Sequence, residues 1–289
     1  GISRGTESLV FRGEVPPSQY VTMRAPFQEG TLPGPIKYGY SSVGEVVEQA
    51  DSSDANLEGQ TVFCLYPHQD LYLVQGAAVT PLPRDLPPAR AVLAANMETA
   101  VNAVWDGAPS TGDRIVVIGA GVIGLLISWL CRQIPGTQVT AIDLNASRES
   151  QAEALGVPFS TDSPPEADAD LVFHASGSPS GLRGALESAG REATIVEVSW
   201  YGNESVCLPL GEGFHSRRLS VKCSQVGHLP SMRSPRWTWS RRMELALDLL
   251  RDPNLDALIT GESDFKDLPE VLAHLSKDPG DELCHRIRY

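Results

Sequence analysis

The chain has 289 residues, 42% of them hydrophobic and 20% charged, which is the composition of an ordinary globular protein. Its formal net charge of -13 argues against a nucleic-acid partner, because phosphate binding requires a basic face. The longest apolar run, residues 122–130, is far shorter than the roughly 20 residues of a membrane-spanning helix, so no membrane partner is expected.

The five cysteines are odd in number, widely scattered and contain no C-x-x-C pair. This pattern argues against a disulfide framework or a thiolate zinc cluster and favours free thiols in a cytoplasmic protein. The start carries no signal-peptide pattern.

The first zone, to about residue 95, is rich in glycine and proline and contains short β-type runs. These predicted strands are "SVGEVVE", "QTVFCLY" and "DLYLV". A proline-bounded junction at 82–94 then leads into a predicted helix.

The second zone, about 96–227, alternates continuous apolar strands with amphipathic helices. The strand runs are "RIVVIG", "QVTAID", "DLVFHAS" and "ATIVEVS", and the helical runs include "ASRESQAEALG" and "SGLRGALESAG". This alternation predicts an α/β fold with a parallel, doubly wound sheet covered on both faces.

The third zone begins near residue 228 and contains two predicted helices, "WSRRMELALDLLRD" and "LPEVLAHLSK". The terminal "LCHRIRY" has the pattern of a final strand.

The most specific pattern is G-x-G-x-x-G, formed by Gly119, Gly121 and Gly124 directly after an apolar strand. Val122 and Ile123 open the helix that follows. In a dinucleotide turn the glycines permit a tight bend, the approach of a pyrophosphate and close helix packing. Backbone N–H groups at the helix start then face the phosphates. The alternative is a glycine-rich turn without a nucleotide.

Asp143 ends the second strand of this zone, 19 residues beyond Gly124. A carboxylate there can accept hydrogen bonds from the adenosine ribose hydroxyls and would repel a 2′-phosphate. NAD is therefore predicted over NADP, although the nearby Arg148 leaves NADP open.

The ends of the next two strands should line the nicotinamide side of such a site, because ligands bind at the carboxyl edge of the sheet. Ser176 and Gly177 lie at one end and Ser199 at the other, and we predict that all three contact the cofactor. His174 is interpreted as a strand residue facing a helix, with a catalytic base as the alternative.

Four segments together resemble the medium-chain dehydrogenase/reductase family of alcohol dehydrogenase-like enzymes. They are "GISRGTE", "GYSSVGEVVE", "ANMETAVNAV" and "GDRIVVIGAGVIG". The resemblance implies a GroES-like β-rich domain, 1–95 completed by 228–289, around a Rossmann domain at 96–227. It also implies a small-molecule substrate, a possible homodimer, and a first domain that lacks its initial strands.

The zinc ligands of that family have no equivalent here. By the resemblance, Ser3 or Arg4 stands for the first cysteine, Tyr40 for the histidine and Ala95 for the second cysteine. The four-cysteine structural lobe is missing too. These departures imply a zinc-free member, similar to the bacteriochlorophyllide a dehydrogenase-like subgroup.

Without a metal, hydrogen-bond donors must hold the developing oxyanion of an alcohol or ketone substrate. The resemblance assigns this role to Tyr40, and Lys37 is a candidate cation to lower its pKa. Thr6 matches the hydroxyl that relays protons in the family. Packing under the cofactor and an ordinary turn hydroxyl are the respective alternatives.

Three further residues complete the candidate set. Thr99 should lie near the nicotinamide, Glu98 is a candidate base or a helix-start carboxylate, and His68 is a candidate acid–base or a surface histidine. Arg217 and Arg218 could bind phosphates or an acidic substrate, or be solvated.

The leading functional prediction is a zinc-independent NAD(P)-dependent oxidoreductase for a secondary alcohol and its ketone. The alternatives are a quinone or enone reductase, whose enolate or phenolate needs no metal, and a non-catalytic nucleotide-binding protein.

Overall fold

A computed structural model shows two compact units, Gly1–Met97 with Ser240–Tyr289, and Glu98–Trp239. The structure describes residues 1–50, 56–162, 168–278 and 280–289. None of the helices within these ranges combines the length and apolarity that crossing a membrane requires.

The helices of the described residues are α1 (Arg4–Phe11), α2 (Pro88–Ala91), α3 (Ala94–Gly107), α4 (Val122–Arg132), α5 (Glu149–Ala154), α6 (Pro179–Ser188), α7 (Trp239–Leu249) and α8 (Leu268–Lys277). The strands are β1 (Glu29–Gly30), β2 (Ile36–Lys37), β3 (Ser42–Glu45), β4 (Thr61–Cys64), β5 (Val79–Pro81), β6 (Arg114–Ile118), β7 (Gln138–Ile142), β8 (Phe159–Ser160), β9 (Ala169–His174), β10 (Ala189–Glu197), β11 (Ser220–Cys223), β12 (Ile259–Asp264) and β13 (Cys284–Arg288).

The second unit is built on a sheet of order β11-β10-β9-β6-β7-β8, in which every pairing is parallel. Numbered by chain position within this unit and read from β8 to β11, the order is 3-2-1-4-5-6, the doubly wound order. The strand order reverses between β6 and β9, so the ligand crevice of this fold lies at the carboxyl ends of those two strands. The predicted α/β class is confirmed.

Apolar side chains on both faces hold this sheet, as the continuous strand runs predicted. Val172 and Ile195 are fully buried within the sheet, and Leu182 and Ala185 of α6 pack into the same core. Parallel strands are hydrophobic throughout because helices cover both of their faces.

The first unit is rich in short strands, as predicted. Antiparallel β3, β4 and β5 form one sheet, β1 pairs antiparallel with β2, and β12 pairs parallel with β13. Ile2 forms an isolated bridge with His285, which ties the first residues to the last strand.

The prediction of a strand at "DLYLV", residues 70–74, is wrong, because no strand forms there. Leu71 and Leu73 are exposed by 66% and 95%, and the backbone there is irregular. Asp70 accepts a hydrogen bond from the Leu71 N–H through Oδ1, and the Tyr72 ring stacks on Tyr66 at 3.7 Å. Local polar contacts and aromatic stacking thus replace ladder pairing, and the next strand, β5, begins only at Val79.

The two unit boundaries lie at 97/98 and 239/240, whereas the sequence predicted 95/96 and 227/228. The segment before α7 packs with the second unit because the Trp237 ring lies 4.6 Å from Trp105 on α3. The Arg233 guanidinium also lies 5.3 Å from the centre of the Trp105 ring.

Candidate functional site

The turn after β6 brings two strand ends together. Gly119 has a φ of +100°, and a Cβ there would lie 2.6 Å from the backbone nitrogen of Ser176. Only glycine fits both the left-handed backbone and this approach. The turn therefore packs directly against the loop that follows β9, at the point where the strand order reverses.

The other two glycines of the motif have different surroundings. A Cβ on Gly124 would collide with the carbonyl oxygen of Gly119, so this glycine lets α4 sit close to β6. A Cβ on Gly121 would meet no atom of the described residues within 4 Å. Gly121 thus leaves an open face beside the start of α4, where the backbone of Val122 and Ile123 begins the helix.

Among the described residues no side chain caps the start of α4, so its first N–H groups remain available to an external anion. This arrangement has the shape and the electrostatics of a diphosphate cradle.

Asp143 follows β7 beside the glycine turn. Its carboxylate accepts hydrogen bonds from the Ala120 N–H at 2.7 Å and the Asn145 N–H at 2.9 Å. The side chain remains partly exposed, so its remaining lone pairs can accept from ribose hydroxyls. Arg148 is only 3% exposed and therefore does not offer a surface guanidinium to a 2′-phosphate.

Ser176, Gly177 and Ser199 lie together, as expected for the ends of adjacent strands. The Gly177 N–H donates to the Ser199 hydroxyl at 3.0 Å. Ser176 and Gly177 are exposed and Ser199 is partly buried, so the structure brings all three to the carboxyl edge of the sheet.

Behind Ser176 lies a buried polar cluster that the sequence analysis did not identify. His174 is fully buried and faces α6, its Nε2 is 2.7 Å from the Ser176 hydroxyl, and its Nδ1 is 2.8 Å from Glu197 Oε2. The signal was present, because "DLVFH" and "TIVE" each end an apolar strand with an ionisable residue. Parallel register then places His174 opposite Glu197.

Glu197 is an acceptor for several donors. It receives the Ser199 N–H at 2.7 Å and the Tyr201 hydroxyl at 3.0 Å, besides the imidazole. Burial, and next the charge of Glu197, raise the pKa of Tyr201, which keeps its phenol protonated and donating.

In the first unit, Tyr40 lies against the first segment of the chain. Its hydroxyl is hydrogen-bonded to the side chains of Ser3 and Thr6. Burial, and next the charge of Glu7, raise the pKa of Tyr40 to about 12. The expectation that Lys37 lowers this pKa is wrong, because Lys37 instead contacts Glu29, Gln69 and the ring of Tyr66.

His68 lies in a second polar cluster of this unit. Its Nε2 is 2.9 Å from the buried carboxylate of Glu7, and its Nδ1 is 3.2 Å from the Tyr289 hydroxyl. Glu7 also accepts the Ser3 N–H at 2.7 Å. The sequence analysis missed Glu7, which follows Thr6 directly in the quoted "GISRGTE".

Glu98 and Thr99 both lie on α3. Because α3 begins at Ala94, Glu98 is in the second turn and is not a helix-start carboxylate. Glu98 is buried and Thr99 is half-buried.

The two arginines before β11 make contacts within the protein. Arg217 donates to the carbonyls of Leu186 and Ala189 at the end of α6, at 3.0 and 2.9 Å. Arg218 pairs with Glu192 at 2.6 Å on the surface. Arg217 thus caps a helix carboxyl end, where a cation is favoured by the dipole.

The residues that the resemblance aligns with the family's zinc ligands do not fit that metal. Tyr40 is a neutral phenol bonded to the Ser3 hydroxyl, and Ala95 has no donor atom. Zinc prefers thiolate, imidazole or carboxylate ligands. Within the described ranges, no group of three or more His, Cys, Asp or Glu side chains is placed to hold a metal ion.

No family model matches the chain. It is 25% identical over 254 residues to D-guloside 3-dehydrogenase of Escherichia coli strain K12, covering 82% of this chain and 73% of that protein. It is 26% identical over 210 residues to (R,R)-butanediol dehydrogenase of Bacillus subtilis strain 168, covering 59% and 61%.

Solved structures share the fold. A protein assigned as a zinc-binding dehydrogenase from Sinorhizobium meliloti 1021, bound to NADP, superposes with a TM-score of 0.76 at 18% identity, covering 100% of this chain and 89% of that one. A protein described as a short chain alcohol dehydrogenase from E. coli CFT073, complexed with NADH, superposes with a TM-score of 0.68 at 18% identity, covering 86% of this chain and 82% of that one. The chain therefore has the alcohol dehydrogenase-like fold, and its relatives are oxidoreductases of that kind.

Proposed function

We propose that the chain is an NAD-dependent oxidoreductase that interconverts a secondary alcohol, such as a polyol carbon, and its ketone. The observation that carries this proposal is the turn at Gly119–Gly121–Gly124 with Asp143 hydrogen-bonded to it. The guloside and butanediol substrates in the names of the relatives both carry secondary hydroxyl groups and support the substrate class.

The residues of the second unit fit a dinucleotide. Gly121 and the start of α4 would hold the diphosphate, and Asp143 would accept from the adenosine ribose. Ser176 and Ser199 would line the other half. When bound, the nicotinamide supplies a hydride acceptor or donor.

The chain's own groups would handle the substrate oxygen. We propose Tyr40 as a neutral hydrogen-bond donor to that oxygen and Thr6, bonded to Tyr40, as the hydroxyl that orients it. His68 with Glu7 would hold the proton that leaves the alcohol. Glu98 and Thr99 remain proposed contributors from α3.

Zinc independence is part of the proposal, together with membership of the bacteriochlorophyllide a dehydrogenase-like subgroup. Its support is the donor chemistry at Ser3, Tyr40 and Ala95. Metal analysis of purified protein should find well below one zinc per chain, and turnover should survive prolonged exposure to a chelator. Stoichiometric zinc that is lost together with turnover contradicts this part.

A cytoplasmic location and a homodimer also remain proposals. All five cysteines are free thiols, which suits a reducing compartment. Each residue of β11, the edge strand of the sheet, is exposed, so β11 offers a surface for pairing with a second copy.

The experiment that tests the proposed function combines binding and turnover. We expect NADH to bind at least about tenfold more tightly than NADPH, and Asp143→Asn to reduce that preference, because a repulsive charge has gone. Turnover with NADH should occur with ketones derived from polyols. Turnover restricted to quinones or enones favours the reductase alternative, and binding without any hydride transfer favours the non-catalytic one.

A further inference from the structure

The cluster behind Ser176 has a defined direction of hydrogen bonding. Glu197, as a carboxylate, only accepts, so His174 Nδ1 carries the proton and donates to it. With the imidazole neutral, Nε2 is then an acceptor and receives the Ser176 hydroxyl hydrogen at 2.7 Å. The buried pair thus fixes which way the Ser176 O–H bond points.

Because the Ser176 O–H bond is directed at His174, the Ser176 oxygen can only accept further hydrogen bonds. A hydroxyl oxygen has two lone pairs, and one receives the Ser178 N–H at 3.2 Å. No other donor of the described residues bonds to this oxygen, and the residue as a whole is exposed. Ser176 therefore presents a single acceptor, aimed away from His174, at the carboxyl edge of the sheet.

The same three residue types occur in hydrolytic triads, but this geometry does not suit acyl transfer. His174 is fully buried, and a Cβ on Gly181 of α6 would lie 2.7 Å from its Nε2. The imidazole is sealed between α6 and Ser176 and cannot deliver a proton to a leaving group, as the histidine of a triad must. The cluster holds a proton in place.

The position of Ser176 indicates the donor that it meets. Its backbone adjoins Gly119, in the turn that would hold the diphosphate. In the proposed complex Asp143 binds the adenosine half of the dinucleotide, beside β6 and β7. The strands β9, β10 and β11 form the other half of the sheet, which faces the nicotinamide half of the dinucleotide. The first neutral donors beyond a diphosphate on that side are the hydroxyls of the ribose that carries the nicotinamide.

We propose that Ser176, held as an acceptor by His174 and Glu197, binds a hydroxyl of the ribose next to the nicotinamide. His174 and Glu197 are positioning residues that act through Ser176. This inference rests on the proposed function, because it requires that the second unit binds the dinucleotide.

The first test removes the two partners of this contact in turn. The probes are NADH and its 2′-deoxy and 3′-deoxy analogues in the nicotinamide ribose, titrated against wild type, Ser176→Ala and Ser176→Thr. In wild type, one deoxy analogue should bind roughly 3- to 10-fold more weakly than NADH, the loss expected for one hydrogen bond. Ser176→Ala should bind that analogue and NADH equally, and Ser176→Thr should restore the difference.

The second test weakens the hydrogen bond between His174 and residue 197. In Glu197→Gln the backbone N–H of Ser199 can only donate, so it takes the amide oxygen at the position of Oε1, and the NH₂ group replaces Oε2. His174 Nδ1 then loses its nearer acceptor at 2.8 Å and keeps only the oxygen at 3.0 Å. The fraction of imidazole with its proton on Nε2 should therefore rise, visible by ¹⁵N NMR of the histidine side chains without cofactor. The preference for NADH over the deoxy analogue should also fall.

Ser180→Ala is the matched control, because it removes a serine hydroxyl near the start of α6 that bonds Ser178 and not His174. It should leave the preference unchanged, and thermal melts should show that each variant is folded. The inference is overturned if NADH binds but Ser176→Ala keeps the wild-type preference, or if Glu197→Gln keeps that preference undiminished. Failure of wild type to bind NADH overturns the proposed function itself.

Discussion

Each unit holds an imidazole between a carboxylate and a hydroxyl, yet the two clusters are built differently. In the second unit, Glu197, His174 and Ser176 lie at the ends of neighbouring strands. In the first unit, Glu7, His68 and Tyr289 come from the start, the middle and the end of the chain. The cluster of the second unit thus depends on sheet register, whereas the cluster of the first unit depends on the packing of segments that are distant in the sequence.

Exposure separates the two clusters as well. His174 is fully buried and Ser176 is exposed, so the cluster of the second unit ends on one open hydroxyl. In the first unit the His68 side chain retains 9% exposure, while the Glu7 side chain is at 3%. A sealed imidazole holds a proton in position, whereas a partly exposed one can exchange it with water. The comparison therefore supports the proposed positioning role of His174 and the proposed acid–base role of His68.

The largest expected effect comes from removing either carboxylate. Glu197→Ala leaves three donors without their acceptor, from His174, Ser199 and Tyr201, and should lower the free energy of unfolding by about 3 kcal/mol. Glu7→Ala leaves two donors, from Ser3 and His68, without their acceptor and should lower the free energy of unfolding by about 2 kcal/mol.

Urea denaturation measures both losses. Glu192→Ala is the control, because its pairing with Arg218 is exposed and should contribute less than about 0.5 kcal/mol. A loss for Glu197→Ala no larger than that of the control would mean that the sealed cluster does not stabilise the fold.

An alkaline titration separates the tyrosines beside the two carboxylates. Burial and Glu7 raise the pKa of Tyr40 to about 12, so the unfolded chain loses this proton first as the pH rises. The stability that Tyr40 contributes is therefore present below about pH 10 and is lost as the pH rises toward 12. Tyr40→Phe should make the decline between pH 10 and 12 shallower by about 2 kcal/mol.

Tyr201→Phe should also make this decline shallower, since burial and Glu197 raise the pKa of Tyr201. Unfolding free energies measured at intervals across this range test both. An unchanged slope in Tyr40→Phe would show that Tyr40 ionises as it does in the unfolded chain.

The smallest expected effect comes from removing a tyrosine hydroxyl from each cluster, that of Tyr289 in the first unit and that of Tyr201 in the second. Tyr289 is 57% exposed, and its bond to His68 Nδ1 measures 3.2 Å. Tyr289→Phe should therefore cost less than about 0.5 kcal/mol, whereas Tyr201→Phe removes a donor to a buried carboxylate and should cost about 1 kcal/mol. Equal losses in urea denaturation would contradict the difference in burial.

The same contrast explains what the sequence could predict. Apolar periodicity and the spacing of Gly119, Gly121, Gly124 and Asp143 predicted the sheet and the turn, because these depend on local backbone geometry. The pairing of His174 with Glu197 was within reach, since both end adjacent strands.

Long-range packing set the limit of prediction. Glu7 reaches a histidine 61 positions away, and His68 reaches a tyrosine 221 positions away, so no local pattern connects them. The raised pKa of Tyr40 likewise depends on burial and on Glu7, not on the lysine nearby in the sequence.

The most direct test of the account is a titration of wild type, Gly121→Val and Gly44→Val with NADH. Neither glycine has an atom of the described residues within 4 Å of its would-be Cβ, so both variants should fold with melting temperatures near that of wild type. We predict that wild type and Gly44→Val bind one NADH per chain, and that Gly121→Val binds at least about 100-fold more weakly because valine fills the diphosphate cradle. Equal binding by Gly121→Val and wild type, or no binding by wild type, would contradict the central claim that this glycine turn holds a dinucleotide.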